Sequence, residues 1–252
     1  MPLQSWGSEM WVLELAYNGE RYHGWQVQPN METVQGTLTS ALEKLLMQKV
    51  MVSGCSRTDA GVHARQFICS LETEVPIGIP MDRFCKVANH MLPDDIVIKA
   101  VWQADDAFHP RFQVKYKEYR YEMRDDVSFD PFLRGLVWQI PYELDVTKMD
   151  CAGKALIGTH DFSAFCCADA CEDRVRTIYS LDVSRQNDRV VLSVCGNGFL
   201  YNMVRIITGT LVDVSTGRFS VSDIEKILQS KDRRLSGRTA PPEGLYLNRV
   251  VY

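Results

Sequence analysis

The sequence predicts an α+β fold in which a mixed, mainly antiparallel sheet is flanked by helices. Short apolar or alternating runs, which are typical of strands, are interleaved with stretches whose apolar residues recur every three or four positions, as in amphipathic helices. Both halves of the 252-residue chain contain strands and helices in similar proportion. An order of this kind suits an antiparallel or mixed sheet that is backed by helices.

The first half follows the order β-α-β-β-α-β, with one further strand. Residues 11–17 are rich in strand-forming residues and end at the turn pair Asn18-Gly19, so we expect a strand there. Thr33 is placed to cap a helix that runs to about Gln48. The other expected elements are strands at 49–54 and 66–72 on either side of a polar turn, a helix at 81–91, and strands at 96–102 and 114–124.

A connector is predicted at 131–144, because this stretch contains two prolines and one glycine and has no helical period. It would separate an N-terminal half, 1–130, from a C-terminal half, 145–252. The elements expected in the second half are a helix at 146–157, strands at 177–185 and 189–196, a long helix at 199–214, a helix at 221–228 after the N-cap Ser220, and a strand at 244–252.

The composition is that of a folded protein with one large domain or two of ordinary size. Apolar residues make up 46% of the chain and charged residues 24%, which excludes a disordered, collagen-like or coiled-coil protein. Because no run of about eighteen apolar residues occurs, we expect no membrane-spanning segment. Residues 1–9 contain no basic region followed by an apolar stretch, so we expect no secretory signal and a cytoplasmic location.

The eight cysteines are expected to be reduced thiols, as is usual in the cytoplasm. Only Cys166, Cys167 and Cys171 cluster, and their spacing does not repeat the CxxC pair that is typical of zinc sites. We therefore predict no metal site.

The turn Gly54-Cys-Ser-Arg-Thr-Asp-Ala-Gly-Val-His63 joins two predicted strands and brings together a carboxylate, a guanidinium, two hydroxyls and two glycines. Turns held between rigid strands are common positions for reactive groups. Asp59 could act as a nucleophile or as a general base without any cofactor. It could equally cap the turn by accepting hydrogen bonds from nearby backbone N–H groups.

Arg205 lies in the apolar part of the helix predicted at 199–214. A charge in such surroundings is unfavourable unless it is paired, so Arg205 would need a carboxylate or a phosphate as its partner. Alternatively, its side chain extends to the surface and leaves only its aliphatic stem in apolar surroundings.

The net charge of −4 argues weakly against a nucleic-acid partner, because phosphate binding depends on lysine and arginine. The stretch 111–124 is an exception, since it carries five basic and two acidic side chains. Aromatic residues are interleaved with these cations, a pattern that suits base stacking and phosphate contact. The same pattern is also typical of a half-buried strand with a solvated basic edge.

Seven motifs occur in order over nearly the whole chain, and together they resemble the TruA family of tRNA pseudouridine synthases. One such match would be unsurprising, but seven in order are highly specific. The motifs are Tyr17-Asn-Gly19 with Gly24-Trp-Gln-Val-Gln-Pro29; Thr33-Val-Gln-Gly36; Ser56-Arg-Thr-Asp-Ala-Gly-Val-His-Ala64; Phe108-His-Pro-Arg-Phe112 with Tyr119-Arg-Tyr121; Gly158-Thr-His-Asp-Phe-Ser-Ala-Phe165; Gly198-Phe-Leu-Tyr-Asn-Met-Val-Arg205; and Thr239-Ala-Pro-Pro-Glu-Gly-Leu245.

The resemblance implies an isomerase that converts uridine to pseudouridine on the 3′ side of the tRNA anticodon stem–loop, at positions 38–40. It implies two related α/β halves of the RNA-recognition-motif or ferredoxin-like type, a positively charged central cleft and a homodimer. No cofactor is expected, in agreement with the lack of a P-loop or a dinucleotide-binding glycine motif in the sequence.

The resemblance also assigns roles to individual residues. Asp59 corresponds to the essential catalytic aspartate, and Arg57 to an arginine that helps to push the target base out of the stack. Tyr119 corresponds to the tyrosine that stacks on the target uracil. Arg205 corresponds to the arginine that pairs with the catalytic carboxylate, and Leu245 to an apolar residue packed close to the active site.

Several alternatives remain open at the level of chemistry and of function. Asp59 could attack C6 of the uracil, attack C1′ of the ribose, or assist loss of the base. The C5 proton could be removed by Asp59 itself or by a group that Tyr119 orients. Competing functions are an RNA-binding module without catalysis and a carboxylate-dependent nucleoside or glycoside hydrolase, which usually needs a second carboxylate.

Overall fold

The computed structural model describes residues 10–105, 107–167 and 173–252. The chain divides into two compact units, of which the first runs to Lys115 and includes Leu247–Tyr252, and the second is Tyr116–Tyr246. Residues 116–130, which we expected in the first half, belong to the second unit in this division.

The first unit is an antiparallel sheet with two helices. Its central strand β1 is antiparallel to β3 on one side and to β4 on the other, and β2 is antiparallel to β3. The predicted elements of this unit are present, with boundaries that differ by up to three residues. They are β1 (Met10–Tyr17), α1 (Val34–Leu46), β2 (Val50–Gly54), β3 (His63–Thr73), α2 (Met81–Asn89) and β4 (Ile96–Ala104).

Helix α1 begins where the sequence predicts. The Thr33 side chain accepts a hydrogen bond from the Gly36 N–H at 3.2 Å, so Thr33 is the N-cap. The helix ends at Leu46, because Met47 adopts a left-handed conformation with φ of 54°. Its buried face, which includes Leu38 and Leu42, packs into the core.

Aromatic pairs fill the core of the first unit. The rings of Trp25 and Phe67 are stacked with their centroids 4.0 Å apart, and Trp11 meets Phe84 edge to face at 5.1 Å. All four side chains are almost completely buried. Burial of a large apolar side chain contributes about 1.5–3 kcal/mol, so these pairs are a main source of stability for this unit.

The second unit is a mixed sheet with helices. The order of its main strands is β5-β9-β8-β7, all antiparallel, and β6 runs parallel to β5. The predicted α+β class with a mixed, mainly antiparallel sheet is therefore confirmed. The elements are β5 (Tyr116–Arg124), β6 (Trp138–Gln139), α3 (Val146–Gly153), β7 (Gly158–Asp161), β8 (Val175–Gln186), β9 (Arg189–Gly196), α4 (Met203–Ser215) and α5 (Asp223–Ser230). The last strand, β10 (Leu245–Val251), begins in the second unit, and from Leu247 onward its residues belong to the first.

Two predicted helices of the second unit have different ends. We expected α4 to begin at about residue 199, but its first residue is Met203, because Asn202 has a φ of 60° and interrupts the helical backbone. Helix α3 ends at Gly153 and continues only as the 3₁₀ turn Lys154–Leu156.

Strand β7 and the start of α5 also differ from the prediction. β7 has four residues, too few for a clear alternating pattern, and it exists because it pairs with the long strand β8. Ser220 is not the N-cap of α5, which begins at Asp223 after Ser222. The Asp223 carboxylate instead accepts hydrogen bonds from the N–H and the hydroxyl of Ser220.

The stretch 131–144 is part of the second unit. It contains a 3₁₀ turn at Pro131–Leu133, and the Ile140 N–H donates to the Arg124 carbonyl at 2.8 Å. Val137, Ile140 and Leu144 are buried. Proline and glycine exclude a helix here, but the apolar residues between them are still part of the core.

The sequence predicts neither a membrane-spanning segment nor a metal site. No helix in the described part of the chain is long and apolar enough to cross a membrane. Nor does it contain a group of three or more histidine, cysteine or acidic side chains arranged to hold a metal ion. Cys166 is buried and Cys167 is partly buried, whereas Cys171 lies outside the described residues.

The Thr33→Ala substitution tests the start of α1. Loss of the capping hydroxyl should lower the free energy of unfolding by about 1 kcal/mol, seen in urea as a lower midpoint with an unchanged slope. Ser40→Ala, an exposed change inside the same helix, is the control and should cost nothing, since alanine favours helix. Equal effects of the two substitutions would contradict the assignment of Thr33 as the cap.

Candidate active site

Asp59 lies on the turn between β2 and β3 of the first unit. Its side chain is partly exposed, and that of Arg57 on the same turn is exposed. The turn closes through a hydrogen bond from the Val62 N–H to the Asp59 carbonyl at 3.1 Å. Gly61, at a φ of 78°, reverses the chain just after Asp59.

The segment 17–25 supports this turn at several points. The hydroxyl groups of Tyr17 and Thr58 are hydrogen-bonded at 2.8 Å in a buried position. The Trp25 N–H donates to the Thr58 carbonyl, and the Gly61 N–H donates to the Tyr22 carbonyl, both at 3.1 Å. Residues on both sides of Asp59 are thus fixed by a neighbouring segment, which limits the movement of the carboxylate.

Two glycines allow this close approach of the backbones. Gly24 has a φ of 88°, and a Cβ atom there would lie 2.4 Å from the Thr58 carbonyl oxygen. At Gly19 a Cβ atom would lie 2.0 Å from the Val62 carbonyl oxygen. The Gly19 N–H also donates to Nδ1 of the buried His63 at 3.0 Å, so that this ring nitrogen must be unprotonated.

The segment 17–25, which supports the turn, is itself held in place by contacts with Asp95. The Tyr22 hydroxyl donates to Asp95 Oδ1 at 2.7 Å, and Asp95 also pairs with Arg21. Burial, followed by the hydrogen bond to Asp95, raises the pKa of Tyr22 to about 12. Tyr22 therefore remains a hydrogen-bond donor throughout the neutral range.

Tyr119 lies in β5 of the second unit, opposite Val194 of β9. Its side chain is 6% exposed, and its ring meets that of Phe199 edge to face with the centroids 5.1 Å apart. This contact fixes the plane of the Tyr119 ring.

Arg205 lies in the first turn of α4. Its Nε donates to the Ala240 carbonyl at 2.7 Å, and its Nη1 donates to Asn202 Oδ1 at 2.8 Å. The backbones are also joined, because the Ala240 N–H donates to the Arg205 carbonyl at 3.0 Å. The side chain is partly buried and has a fixed direction.

The segment that precedes Leu245 packs against β5. The Tyr121 hydroxyl donates to the Pro241 carbonyl at 2.6 Å, and a Cβ atom at Gly244 would lie 2.5 Å from the Tyr121 ring. Burial is the main reason why the pKa of Tyr121 is raised well above its usual value; the Glu243 carboxylate raises it further and Arg205 opposes this. Leu245 follows directly and is buried.

The basic strand region is half-buried, and several of its cations have acidic partners within the second unit. Tyr121 is fully buried in the core. The Glu122 carboxylate, also buried, pairs with Arg189 and with Arg120, the latter at 3.1 Å. Arg124 lies 3.4 Å from Asp126 and from Asp130. These arginine side chains therefore form structural ion pairs.

The predicted site residues divide between the two units. Arg57 and Asp59 share one turn of the first unit, while Tyr119, Arg205 and Leu245 belong to the second. Sequence reasoning missed several residues that support them, of which Tyr17, Thr58, Tyr121 and Asn202 make the contacts described above. Only Asn202 carried a local signal, since asparagine tolerates the left-handed conformation found just before α4.

The chain is similar to proteins of one named family. Residues 152–252 match the model of a family described as tRNA pseudouridine synthase. A protein of Geobacillus sp. named tRNA pseudouridine synthase A is 45% identical over 240 residues, which cover 94% of this chain and 96% of that protein. Its namesake in Listeria monocytogenes serotype 4a is 46% identical over 242 residues, 94% of this chain and 97% of that protein.

The Gly24→Ala substitution tests the support of the turn. The methyl group would meet the Thr58 carbonyl and would also strain the backbone, so we expect a loss of more than about 1 kcal/mol in unfolding free energy. Amide NMR shifts should change at residues 57–61. Gly78→Ala is the matched control, because a Cβ atom there meets nothing within 4 Å. Unchanged shifts at 57–61 would show that Gly24 does not support the turn.

Proposed function

This chain belongs to the tRNA pseudouridine synthase A family, a family of isomerases, and we propose that it converts uridine to pseudouridine in the anticodon stem–loop of tRNA, at positions 38–40. Asp59 is the proposed catalytic carboxylate. The observation that carries the proposal is the fixed turn on which a partly exposed Asp59 is held by Thr58, Gly61 and the segment 17–25. Relatives of about 45% identity over 94% of the chain support the reaction class.

The reaction matches the side chains that the chain supplies. The C1′–N1 bond breaks, the uracil turns, and a C1′–C5 bond forms; a proton leaves C5 and N1 gains one. There is no change of oxidation state and no net hydrolysis, so acid–base and nucleophilic groups suffice. An ionised Asp59 would attack C6 or C1′, or would assist loss of the base, and the C5 proton would go to Asp59 or to a group oriented by Tyr119.

Arg205 is proposed as the cationic partner of Asp59. Carboxylates are favoured in their ionised form by a nearby positive charge, and a guanidinium is charged at all physiological pH values. The two described hydrogen bonds of Arg205 go to neutral oxygens, of Ala240 and of Asn202. Such bonds orient the guanidinium and do not themselves neutralise its charge.

The remaining site residues are proposed to handle the target nucleotide. A base within a helical stem must leave the stack, at a cost of a few kcal/mol. Arg57 is exposed two residues before Asp59, which suits insertion into the vacated space or contact with a phosphate. Tyr119, held edge to face by Phe199, is proposed to stack on the uracil, and Leu245 to provide an apolar wall.

We further propose that the enzyme acts as a homodimer in the cytoplasm, that it binds the RNA in a positively charged central cleft, and that it needs no cofactor. These proposals rest on the family resemblance and on the chemistry of the reaction, whose steps require only proton transfer and carboxylate attack.

The Asp59→Asn substitution tests the catalytic role. The change is nearly isosteric and removes the charge, so we expect pseudouridine formation on tRNA to be abolished while tRNA affinity stays within about threefold. Asp94→Asn, an exposed change in the same unit, is the control and should be fully active. Retained turnover in Asp59→Asn would remove Asp59 from the mechanism. Release of free uracil by the unaltered protein would indicate a hydrolase. Binding of tRNA without formation of any product would indicate an RNA-binding module.

Salt dependence tests the proposed phosphate contacts. Affinity for an anticodon stem–loop RNA should fall linearly on a plot of log affinity against log salt concentration. Arg57→Gln should reduce the magnitude of the slope by about 1, the value for one phosphate contact. Arg83→Gln, an exposed change on α2, should leave the slope unaltered. A flat response would contradict binding through a positively charged cleft.

A further inference from the structure

Asn202 occupies an unusual position at the start of α4. Its φ of 60° and ψ of 6° are left-handed, whereas the residue before a helix normally has an extended backbone. An asparagine in that place normally accepts a hydrogen bond from an N–H of the first helical turn, but the Asn202 side chain makes no such bond. Its Oδ1 accepts instead from Nη1 of Arg205, at 2.8 Å. The capping group of this helix is thus turned toward the guanidinium.

The guanidinium of Arg205 is held at two separate nitrogens. Nε donates to the Ala240 carbonyl at 2.7 Å, and Nη1 donates to Asn202. Because the group is planar and its donors are fixed relative to one another, two bonds to different nitrogens determine the orientation of the plane. Loss of the bond to Asn202 would remove one of these two restraints on the plane.

The Ala240 end of this arrangement is fixed independently. The Ala240 N–H donates to the Arg205 carbonyl, and the next carbonyl, that of Pro241, accepts from the buried Tyr121 hydroxyl at 2.6 Å. At the Nη1 side of the guanidinium, the described restraint is the side-chain acceptor Asn202. Both acceptors are neutral, so they set the direction of the cation without neutralising it.

Resting on the role proposed above for Arg205, we propose that Asn202 is a positioning residue, which directs the Arg205 guanidinium toward the reacting carboxylate. The competing explanation is that asparagine is present only because it tolerates the left-handed backbone. Glycine separates these explanations, because it adopts the same backbone without strain and has no amide.

The test is the substitution Asn202→Gly, with steady-state kinetics on an anticodon stem–loop RNA. We expect kcat to fall roughly 10- to 100-fold, the effect of a small misplacement of a catalytic group, while KM stays within about twofold. Asn187→Gly is the matched control. Asn187 is also left-handed, at a φ of 56°, but lies exposed in the β8–β9 turn, so its replacement should leave kcat unchanged.

A second substitution separates failure of this inference from failure of the proposed function. Lysine has no planar fork, so Arg205→Lys should lower kcat strongly, and adding Asn202→Gly to it should change kcat less than about twofold, since Asn202 acts through Arg205. Full activity of Arg205→Lys would refute the role proposed for Arg205. If Arg205→Lys is impaired but Asn202→Gly matches the unaltered enzyme, or if the two losses multiply, Asn202 does not position Arg205.

Discussion

The close approach of the segment 17–25 to the turn that carries Asp59 is the constraint on which the first unit depends. Backbone meets backbone at Gly24 and Thr58 with no room for a methyl group. At this distance N–H and carbonyl groups of the two segments are hydrogen-bonded to each other, which adds to the hold of strands β2 and β3 on the turn. A reactive carboxylate benefits from such support, because its position is set before substrate binds and no reorganisation is required during the reaction.

In the second unit, neutral groups orient the side chain of Arg205. The carbonyl of Ala240 and the amide of Asn202, both neutral acceptors, orient the Arg205 guanidinium. Arg189 shows the opposite arrangement, since it pairs with the buried Glu122 and stabilises the sheet. Neutral acceptors fix the geometry of a cation, whereas an ion pair also offsets its electrostatic field.

Local sequence patterns predicted secondary structure well. They failed where the structure depends on residues that are distant in sequence. The cap at Thr33 follows from residue type and spacing alone. The basic strand region was ambiguous because some of its acidic partners, such as Asp130, lie beyond the strand. The start of α4 was missed because the left-handed backbone of Asn202 leaves no periodic signal. The motifs indicated which site residues matter, but not their supports: Tyr17 and Thr58 are far apart in sequence, and no spacing rule connects them.

The most direct test of the central claim is a crystal structure of the Asp59→Asn variant bound to an anticodon stem–loop RNA that contains the target uridine. The proposed mechanism predicts that this uridine lies outside the helical stack, with the side chain at position 59 about 3–3.5 Å from C1′ of its ribose or C6 of its base. A uridine that remains stacked in the stem, or one that is flipped out against a different acidic side chain, would contradict it.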